Sequence, residues 1–144
     1  MKAKENATVF WEAFDKIIRS FSSMNNVSGE ESLGKLDIMA LEVVSRNEGL
    51  IMSELARVLD VRVNTVTGIA DRLVERRLLK RERNHKDRRV IRLYTTPKGR
   101  KTVEAYQTNR ESFFRKLTNI LTREEQDGLV SVMVKIAGMA EGKK

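Results

Sequence analysis

The side chains of this sequence that could take part in chemistry are mainly basic and lie in one segment. Between Arg62 and Arg92 the chain carries eleven Lys or Arg residues and four Asp or Glu residues, a net charge of +7. The whole chain of 144 residues has a net charge of +8, so this segment holds nearly all of the excess. Clustered basic residues favour a polyanionic partner. An isolated basic run would more often be an ordinary solvated face, so the elements that hold the run decide between the two interpretations.

Residue types on which many enzymes depend are scarce. The chain has no cysteine, which excludes disulfides, zinc–thiolate sites and thiol nucleophiles. It has no glycine-rich phosphate loop, and its single histidine, His85, lies among basic residues, where a metal ion would find no second ligand. We therefore expect no enzymatic activity, no metal and no cofactor, and we expect His85 to be solvated or to contact a phosphate.

The composition predicts a single folded domain. Hydrophobic residues make up 40% of the chain and charged residues 33%, as in proteins with a core and a charged surface. No window approaches 18 consecutive apolar residues, and the first ten residues lack the apolar run of a signal peptide. We therefore expect a cytoplasmic protein without a membrane partner.

Apolar spacing and capping signals predict a mainly α fold with a small β-hairpin. Thr96 followed by Pro97 predicts the start of a long helix, and capping boxes are expected at Ser28 with Glu31 and at Thr122 with Glu125. Four helices are predicted before the hairpin: 9–24, a second through 36–44 that ends near Gly49, a short one at 52–59 and a longer one at 63–74. Two more helices are predicted to begin at 97 and at 122. The predicted strands of the hairpin are 78–83 and 89–95, on either side of a polar tip at 84–88.

The centre of this order is a helix-turn-helix followed by a basic hairpin, or wing. With Val66, Ile69, Ala70 and Leu73 turned inward, the start of the second helix of the pair faces outward, as a recognition helix in a DNA major groove would. The predicted DNA-binding residues of this helix are Arg62, Val63, Asn64, Thr65, Thr67 and Gly68, of which Arg62, Asn64 and Thr67 are the candidates for reading bases.

The wing provides a second set of basic residues. Its arginines and lysine can reach phosphates or enter a neighbouring minor groove, and binding should then depend strongly on salt. The predicted DNA-binding residues of the wing are Arg81, Arg83, Lys86, Arg88 and Arg89.

Three segments together resemble the MarR family of winged helix-turn-helix transcriptional regulators. They are the helix-turn-helix stretch from Ser53 to Leu59 with Thr65-Val66-Thr67 and Asp71-Arg72-Leu73, the wing stretch Asp87-Arg88-Arg89, and the closing stretch Thr96-Pro97-Lys98-Gly99. The resemblance covers essentially the whole chain. Its hairpin pattern, an aspartate, any residue and an arginine before a strand that closes on threonine and glycine, is more specific than a helix-turn-helix alone.

The resemblance implies one MarR-type domain with two parts. Residues 34–96 would form the DNA-binding part, with the helix-turn-helix at 52–77 and the wing at 78–95. Residues 1–32 and 97–144 would form a helical dimerisation part that interlocks with a second chain. Five aromatic residues fit such a core and interface better than a ligand pocket: Phe10, Phe14, Phe21, Phe113 and Phe114.

The resemblance also implies a homodimeric repressor that binds a palindromic operator in double-stranded DNA and responds to a small aromatic or phenolic acid. It implies a structural pair between Asp71 and Arg89, which would tie the recognition helix to the wing. The ligand-binding residues, the operator, and the choice between repression and activation are left open by the sequence.

The chain departs from the family pattern at three positions. Ile51 and Arg62 stand where residues with capping hydroxyls are common, so both helix starts are expected to lack a side-chain cap. Gly68 stands where a larger, often basic residue is common, and it either admits a close backbone approach to DNA or reduces base contact. The second possibility keeps an alternative function open, an architectural protein that binds DNA without sequence preference.

Overall fold

The computed structural model describes residues 2–24 and 33–141, which form six α-helices and three short β-strands. The described residues divide into two compact units, one up to Tyr106 and one from Gln107. The elements in chain order are α1 Lys2–Met24, α2 Lys35–Arg46, β1 Leu50–Ile51, α3 Met52–Leu59, α4 Val63–Glu75, β2 Leu79–Arg83, β3 Ile91–Thr95, α5 Pro97–Ile120 and α6 Arg123–Glu141.

The expected fold class, mainly α with a β-hairpin wing, is confirmed. Helix α3 has the predicted bounds, and α4 and both hairpin strands agree with the prediction to within two residues. Helix α1 begins seven residues earlier than the apolar spacing indicated, because Lys2–Thr8 contains good helix formers but few apolar residues. The capping box expected at Ser28 and Glu31 lies outside the described residues.

The other capping signals are confirmed by hydrogen bonds. The Gly99 amide donates to Thr96 Oγ1 over 3.0 Å at the start of α5. At the start of α6, Thr122 N donates to Glu125 Oε1 over 2.9 Å and Glu125 N donates to Thr122 Oγ1 over 3.2 Å. These reciprocal bonds satisfy amides that have no partner within the helix.

The core of the first unit lies where α2, α3 and α4 pack against the sheet. The largest side chains that are fully buried there are Leu41, Leu55, Ile69, Leu73, Leu79, Leu93, Val44 and Val66. The four α4 residues that we expected to face inward, Val66, Ile69, Ala70 and Leu73, are all buried. The rotation of α4 about its own axis is therefore fixed by hydrophobic burial.

The sheet has three antiparallel strands in the order β1-β3-β2, one more than the sequence predicted. Strand β1 has only two residues, too few for an alternating pattern to be recognised. It pairs Leu50 with Leu93, so that β3 lies between two neighbours. This third strand attaches the base of the wing to the segment that leads into α3.

A carboxylate fixes the end of β3. The Glu48 side chain accepts hydrogen bonds from the Thr95 backbone amide, over 2.8 Å, and from the Thr95 hydroxyl. Nearby, the Gly49 amide donates to the Leu93 carbonyl over 2.8 Å, and Gly49 has a φ of +87°, a conformation that favours glycine. These bonds hold the α2–β1 turn against the strand that leads from the wing into α5.

The start of α5 packs directly on the end of the recognition-helix segment. Thr96 Oγ1 donates to the Arg77 carbonyl over 2.6 Å, and Thr96 N donates to the Leu78 carbonyl over 3.1 Å. A Cβ atom built on Gly99 would lie 2.1 Å from the Leu78 carbonyl oxygen. Only glycine therefore allows this approach of α5 to the backbone at Leu78.

Two helices present apolar side chains that the other described residues leave exposed. On α1, Phe10, Trp11 and Phe14 are exposed, and their rings contact one another with centroids 5.3–5.8 Å apart. Helix α6 contains no buried residue, although Leu129, Val132, Met133 and Ile136 lie along it. Among the described residues these side chains are therefore not part of a core, and the interface expected for Phe10 and Phe14 stays a prediction.

We predict that Gly99→Ala destabilises the protein by at least about 2 kcal/mol, because the added methyl group would overlap a backbone oxygen that cannot move independently. The free energy of unfolding in urea measures the effect. Gly68→Ala is the matched control, since its Cβ would meet only Arg72 Nη1, at 3.7 Å. That variant should gain up to about 1 kcal/mol from helix propensity. Equal stability of the Gly99→Ala variant and the wild type would contradict the close approach.

Candidate nucleic-acid interface

The start of α4 carries the predicted recognition residues on the surface. Arg62, Val63, Asn64, Thr65 and Thr67 are exposed, and Gly68 is half-buried. The core face of the helix lies on the opposite side, so these residues occupy the outward face of the first two turns. Thr67 Oγ1 donates to the Val63 carbonyl over 3.0 Å, which fixes the orientation of its hydroxyl group.

A tight turn sets the angle between α3 and α4. Helix α3 ends at Leu59, and the next residue, Asp60, has a left-handed conformation with φ of 55°, which aspartate tolerates better than most residues do. Val61 N donates to the Ala56 carbonyl over 3.0 Å and closes the turn. Neither Ile51 before α3 nor Arg62 before α4 makes a side-chain cap, as expected from the sequence.

The tip of the wing is held by side-chain to backbone hydrogen bonds. Arg83 Nη1 donates to the Arg88 carbonyl over 2.7 Å, and Lys86 N donates to Asn84 Oδ1 over 3.2 Å. Asn84 N donates to the Val90 carbonyl over 3.0 Å, which closes the loop just beyond the last pair of strand residues. The side chains of Lys86 and Arg88 make no hydrogen bond or ion pair with any other described residue.

The expected pair between Asp71 and Arg89 is wrong, because the structure pairs Asp71 with Arg81. Arg81 lies opposite Leu93 in the β2–β3 register, and paired residues point to the same face of a sheet. Leu93 is fully buried beneath the helices, so Arg81 also faces them and reaches Asp71. The recognition helix and the wing are joined as expected, but through β2.

Arg89 lies beyond the last paired residues of the hairpin and bonds locally. Its Nε donates to Asp87 Oδ1 over 3.1 Å, and its backbone amide donates to the same oxygen over 3.1 Å. These bonds lower the pKa of the Asp87 carboxyl below its usual value, the side-chain bond being the larger cause. The carboxylate therefore stays charged, and its stabilisation of the tip is lost only as the pH falls through this lowered pKa.

A second ion pair connects α4 to α2. Arg72 donates to Asp37 twice, from Nε to Oδ2 over 3.2 Å and from Nη2 to Oδ1 over 2.9 Å. Asp37 is buried, whereas the Arg72 side chain is 55% exposed. The hydrogen bond and the charge of Asp37 raise the pKa of the Arg72 guanidinium. Helix α4 is therefore tied by one carboxylate–arginine pair to β2 and by another to α2.

An open recess of about 260 Å³ lies between the start of α3, the start of α4 and the residues of the wing that lead into β3. Its walls are mainly apolar, with one charged side chain. The lining residues are Ile51, Met52, Ser53, Val63, Arg89, Val90 and Ile91. Any molecule in this recess would lie beside Val63 of the recognition helix and Arg89 of the wing.

Comparison with known proteins identifies the family. A sequence model described as the MarR family matches residues 33–90, which include the helix-turn-helix and the first half of the wing. The repressor MdtR of Bacillus subtilis is 33% identical over 104 residues, which cover 72% of this chain and 67% of MdtR. The chain belongs to the MarR family. It is a winged helix-turn-helix transcriptional regulator that binds DNA.

Solved structures of MarR-type regulators share this fold. Streptococcus pneumoniae FabT, crystallised in complex with DNA, has a TM-score of 0.81 and 20% identity, covering 96% of this chain and 99% of FabT. Bordetella bronchiseptica BpsR, whose DNA binding is regulated by 6-hydroxynicotinic acid, has a TM-score of 0.68 and 21% identity, covering 91% of each chain. At these identities the likeness concerns the fold alone.

Two further properties of the described residues bear on function. None of the helices within 2–24 and 33–141 is long and apolar enough to cross a membrane. Within the same ranges, no group of three or more His, Asp or Glu side chains is placed to hold a metal ion. The curated relative reported above, MdtR, is a transcriptional repressor.

Sequence reasoning missed two polar residues that position the interface and gave a third another role. Asp37 and Glu48 lie far along the chain from their partners Arg72 and Thr95, and no local pattern signals such pairs. Arg81 was identified, but as a DNA contact and not as the partner of Asp71. The alternation of apolar and polar residues in β3 was the one signal in the sequence. It shows that Arg81 faces the helices only when the pairing of Arg81 with Leu93 is known.

We predict that a double-mutant cycle between Asp71→Ala and Arg81→Ala gives a coupling of about 0.5 kcal/mol, as expected for an ion pair near the surface. Urea unfolding of the four proteins at low salt provides the free energies. The parallel cycle with Arg89→Ala serves as the control and should show no coupling to Asp71. If Asp71 were coupled to Arg89 and not to Arg81, the pair between Asp71 and Arg89 that the sequence analysis expected would be correct.

Proposed function

We propose that two copies of this chain form a dimer that binds a palindromic operator and represses transcription, and that a small aromatic acid weakens the binding. The observation that carries the proposal is the exposure of Arg62, Asn64 and Thr67 at the start of a helix that is ion-paired to a basic wing. Because of this ion pair, α4 and the wing would contact the duplex as one rigid unit. A symmetric dimer would place two such units about one helical turn of DNA apart.

The recognition helix supplies the sequence preference in this proposal. Arg62, Asn64 and Thr67 read base edges in the major groove, where each base pair has a distinct pattern of donors and acceptors. Val63, Thr65 and Gly68 complete the contact surface, and the small size of Gly68 lets the helix backbone approach the duplex. The core face of α4 is buried, so this outward face is the one available to DNA.

The wing supplies affinity that depends little on sequence. Lys86 and Arg88 are the phosphate or minor-groove contacts, since their side chains make no hydrogen bond or ion pair within the described chain. Arg83 and Arg89 hold the tip through the Arg88 carbonyl and Asp87, and they contact phosphates with their remaining donors. Arg81 serves mainly to tie the wing to Asp71.

A second copy accounts for the uncovered apolar faces. Exposed apolar patches of this size mark interaction sites. The face of α1 repeats at helical spacing through Phe10, Phe14 and Ile17, and α6 exposes Val132 and Met133. We assign both faces to the dimer interface, in agreement with the expected dimerisation part at 1–32 and 97–144.

The proposed effector is a small aromatic acid that occupies the recess beside α4. Its apolar walls would accept the ring, and Arg89 at its edge would pair with the carboxylate. Support for such control comes from BpsR, the structural relative regulated by 6-hydroxynicotinic acid. Support for repression comes from MdtR, a repressor with 33% identity. A ligand in the recess would compete with DNA for Val63 and Arg89.

We predict that Arg88→Ala weakens binding to every duplex and lowers the salt slope by about one, because one phosphate contact is lost. Asn64→Ala should chiefly reduce the preference for the specific site over random DNA, by about 1–3 kcal/mol. The measurement is fluorescence anisotropy with DNA from upstream of the protein's own gene and with a random duplex, over a salt series, with and without salicylate.

The outcomes of this experiment separate the functions. Site-selective binding that salicylate weakens supports the ligand-responsive repressor. Equal affinity for both duplexes, unchanged by the acid, would replace it by the architectural function. Equal losses for both variants on both duplexes would contradict the division of roles between helix and wing.

We predict that the protein sediments as a dimer and that Phe14→Glu shifts it towards the monomer, because a carboxylate would be buried in the interface. Sedimentation equilibrium at micromolar concentration measures the shift. Lys16→Gln changes the charge by the same amount on the opposite side of α1 and should leave the dimer intact. A wild-type protein that is monomeric throughout this range would refute the dimer.

A further inference from the structure

The ion pair between Asp37 and Arg72 leaves half of the arginine unused. A guanidinium presents two forked edges, one formed by Nε with Nη2 and one formed by Nη1 with Nη2. Asp37 occupies the first fork, with its two oxygens 3.2 Å from Nε and 2.9 Å from Nη2. Among residues 2–24 and 33–141, Nη1 has no hydrogen-bond partner. The second fork is therefore open.

The surroundings keep this second fork accessible. The Arg72 side chain is 55% exposed, and Gly68 lies one helical turn before it. Long side chains on a helix extend over the preceding turn, and Arg72 Nη1 does so, since a Cβ on Gly68 would lie 3.7 Å from it. A larger side chain at position 68 would cover this edge. The glycine leaves it uncovered on the surface of the recognition helix.

Arg72 lies on the flank of α4 that faces away from the wing. Asp71, its neighbour, points towards β2 and pairs with Arg81, whereas Arg72 points towards the start of α2. When a recognition helix enters the major groove, residues on its flanks meet the phosphates that border the groove. The wing supplies cations on one flank, and Arg72 is an oriented cation on the other.

We propose that Arg72 binds a DNA phosphate through its Nη1–Nη2 edge and that Asp37 positions the guanidinium for this contact. The inference rests on the proposed DNA-binding function and adds a residue to it. A guanidinium fixed by a carboxylate on one fork binds a phosphate on the other without losing further side-chain freedom. Its partner is the sugar–phosphate backbone, so the contact contributes to all sequences alike.

A purely structural pair makes different predictions. If Asp37 and Arg72 only join α2 to α4, variants at either position should change stability and leave the salt dependence of DNA binding unaltered. Asp37→Asn is particularly informative, because it makes the protein one charge more positive. Electrostatic attraction alone would then strengthen binding to DNA. Loss of the oriented guanidinium would weaken it.

The test is DNA binding by Arg72→Gln, Arg72→Lys and Asp37→Asn, measured by fluorescence anisotropy over a salt series on operator and random duplexes. Circular dichroism confirms that each variant is folded at the temperature used. Arg115→Gln, an exposed arginine on α5, is the control for the same change of charge. Arg72→Gln should bind both duplexes about tenfold more weakly and lower the salt slope by about 0.9.

The conservative variants complete the test. Arg72→Lys should keep the salt slope but lose affinity, because an ammonium group cannot bind Asp37 and a phosphate through two forks. Asp37→Asn should bind more weakly despite its added positive charge. An unchanged salt slope for Arg72→Gln, or tighter binding by Asp37→Asn, would overturn the inference while leaving the proposed function intact. Failure of the wild type to bind any duplex would instead refute the proposed function.

Discussion

The burial of one face of α4 is the constraint on which the interface depends. Val66, Ile69, Ala70 and Leu73 are almost fully buried against α2, α3 and the sheet. Burial of one such isoleucine or leucine contributes about 1.5–3 kcal/mol, whereas an ion pair near the surface contributes about 0–1 kcal/mol. Hydrophobic packing therefore decides which residues of α4 face outward. The polar contacts act on a helix whose rotation is already set.

The polar contacts of α4 constrain its orientation in a second way. Each side of α4 has a carboxylate–arginine pair, but the charges are arranged in opposite senses. On the side of the wing, the helix supplies the carboxylate of Asp71 and the strand supplies Arg81. On the side of α2, the helix supplies Arg72 and α2 supplies Asp37. Charge-assisted hydrogen bonds need a defined geometry, so the two contacts hold α4 from both sides in the orientation that apolar packing sets.

Local patterns accounted for most of the fold. The spacing of Val66, Ile69, Ala70 and Leu73 identified the buried face of α4, and the hydroxyls of Thr96 and Thr122 identified two helix starts. The two-residue strand β1 and the carboxylates of Asp37 and Glu48 could not be predicted, because their partners are distant in the sequence. The error in the partner of Asp71 arose in the same way. Arg81 reaches Asp71 because of the register between β2 and β3, which the sequence of either strand alone does not determine.

The hydroxyl of Thr67 has a consequence for the bases that the recognition helix can accept. Its proton is used in the hydrogen bond to the Val63 carbonyl, so the hydroxyl presents a lone pair and the side chain presents a methyl group. In the major groove, cytosine and adenine offer amino groups that can donate to this lone pair, and thymine offers a methyl group. Guanine offers two acceptors and no donor there. At the base that Thr67 faces, the protein would therefore discriminate by excluding guanine, even where it does not choose among the other three.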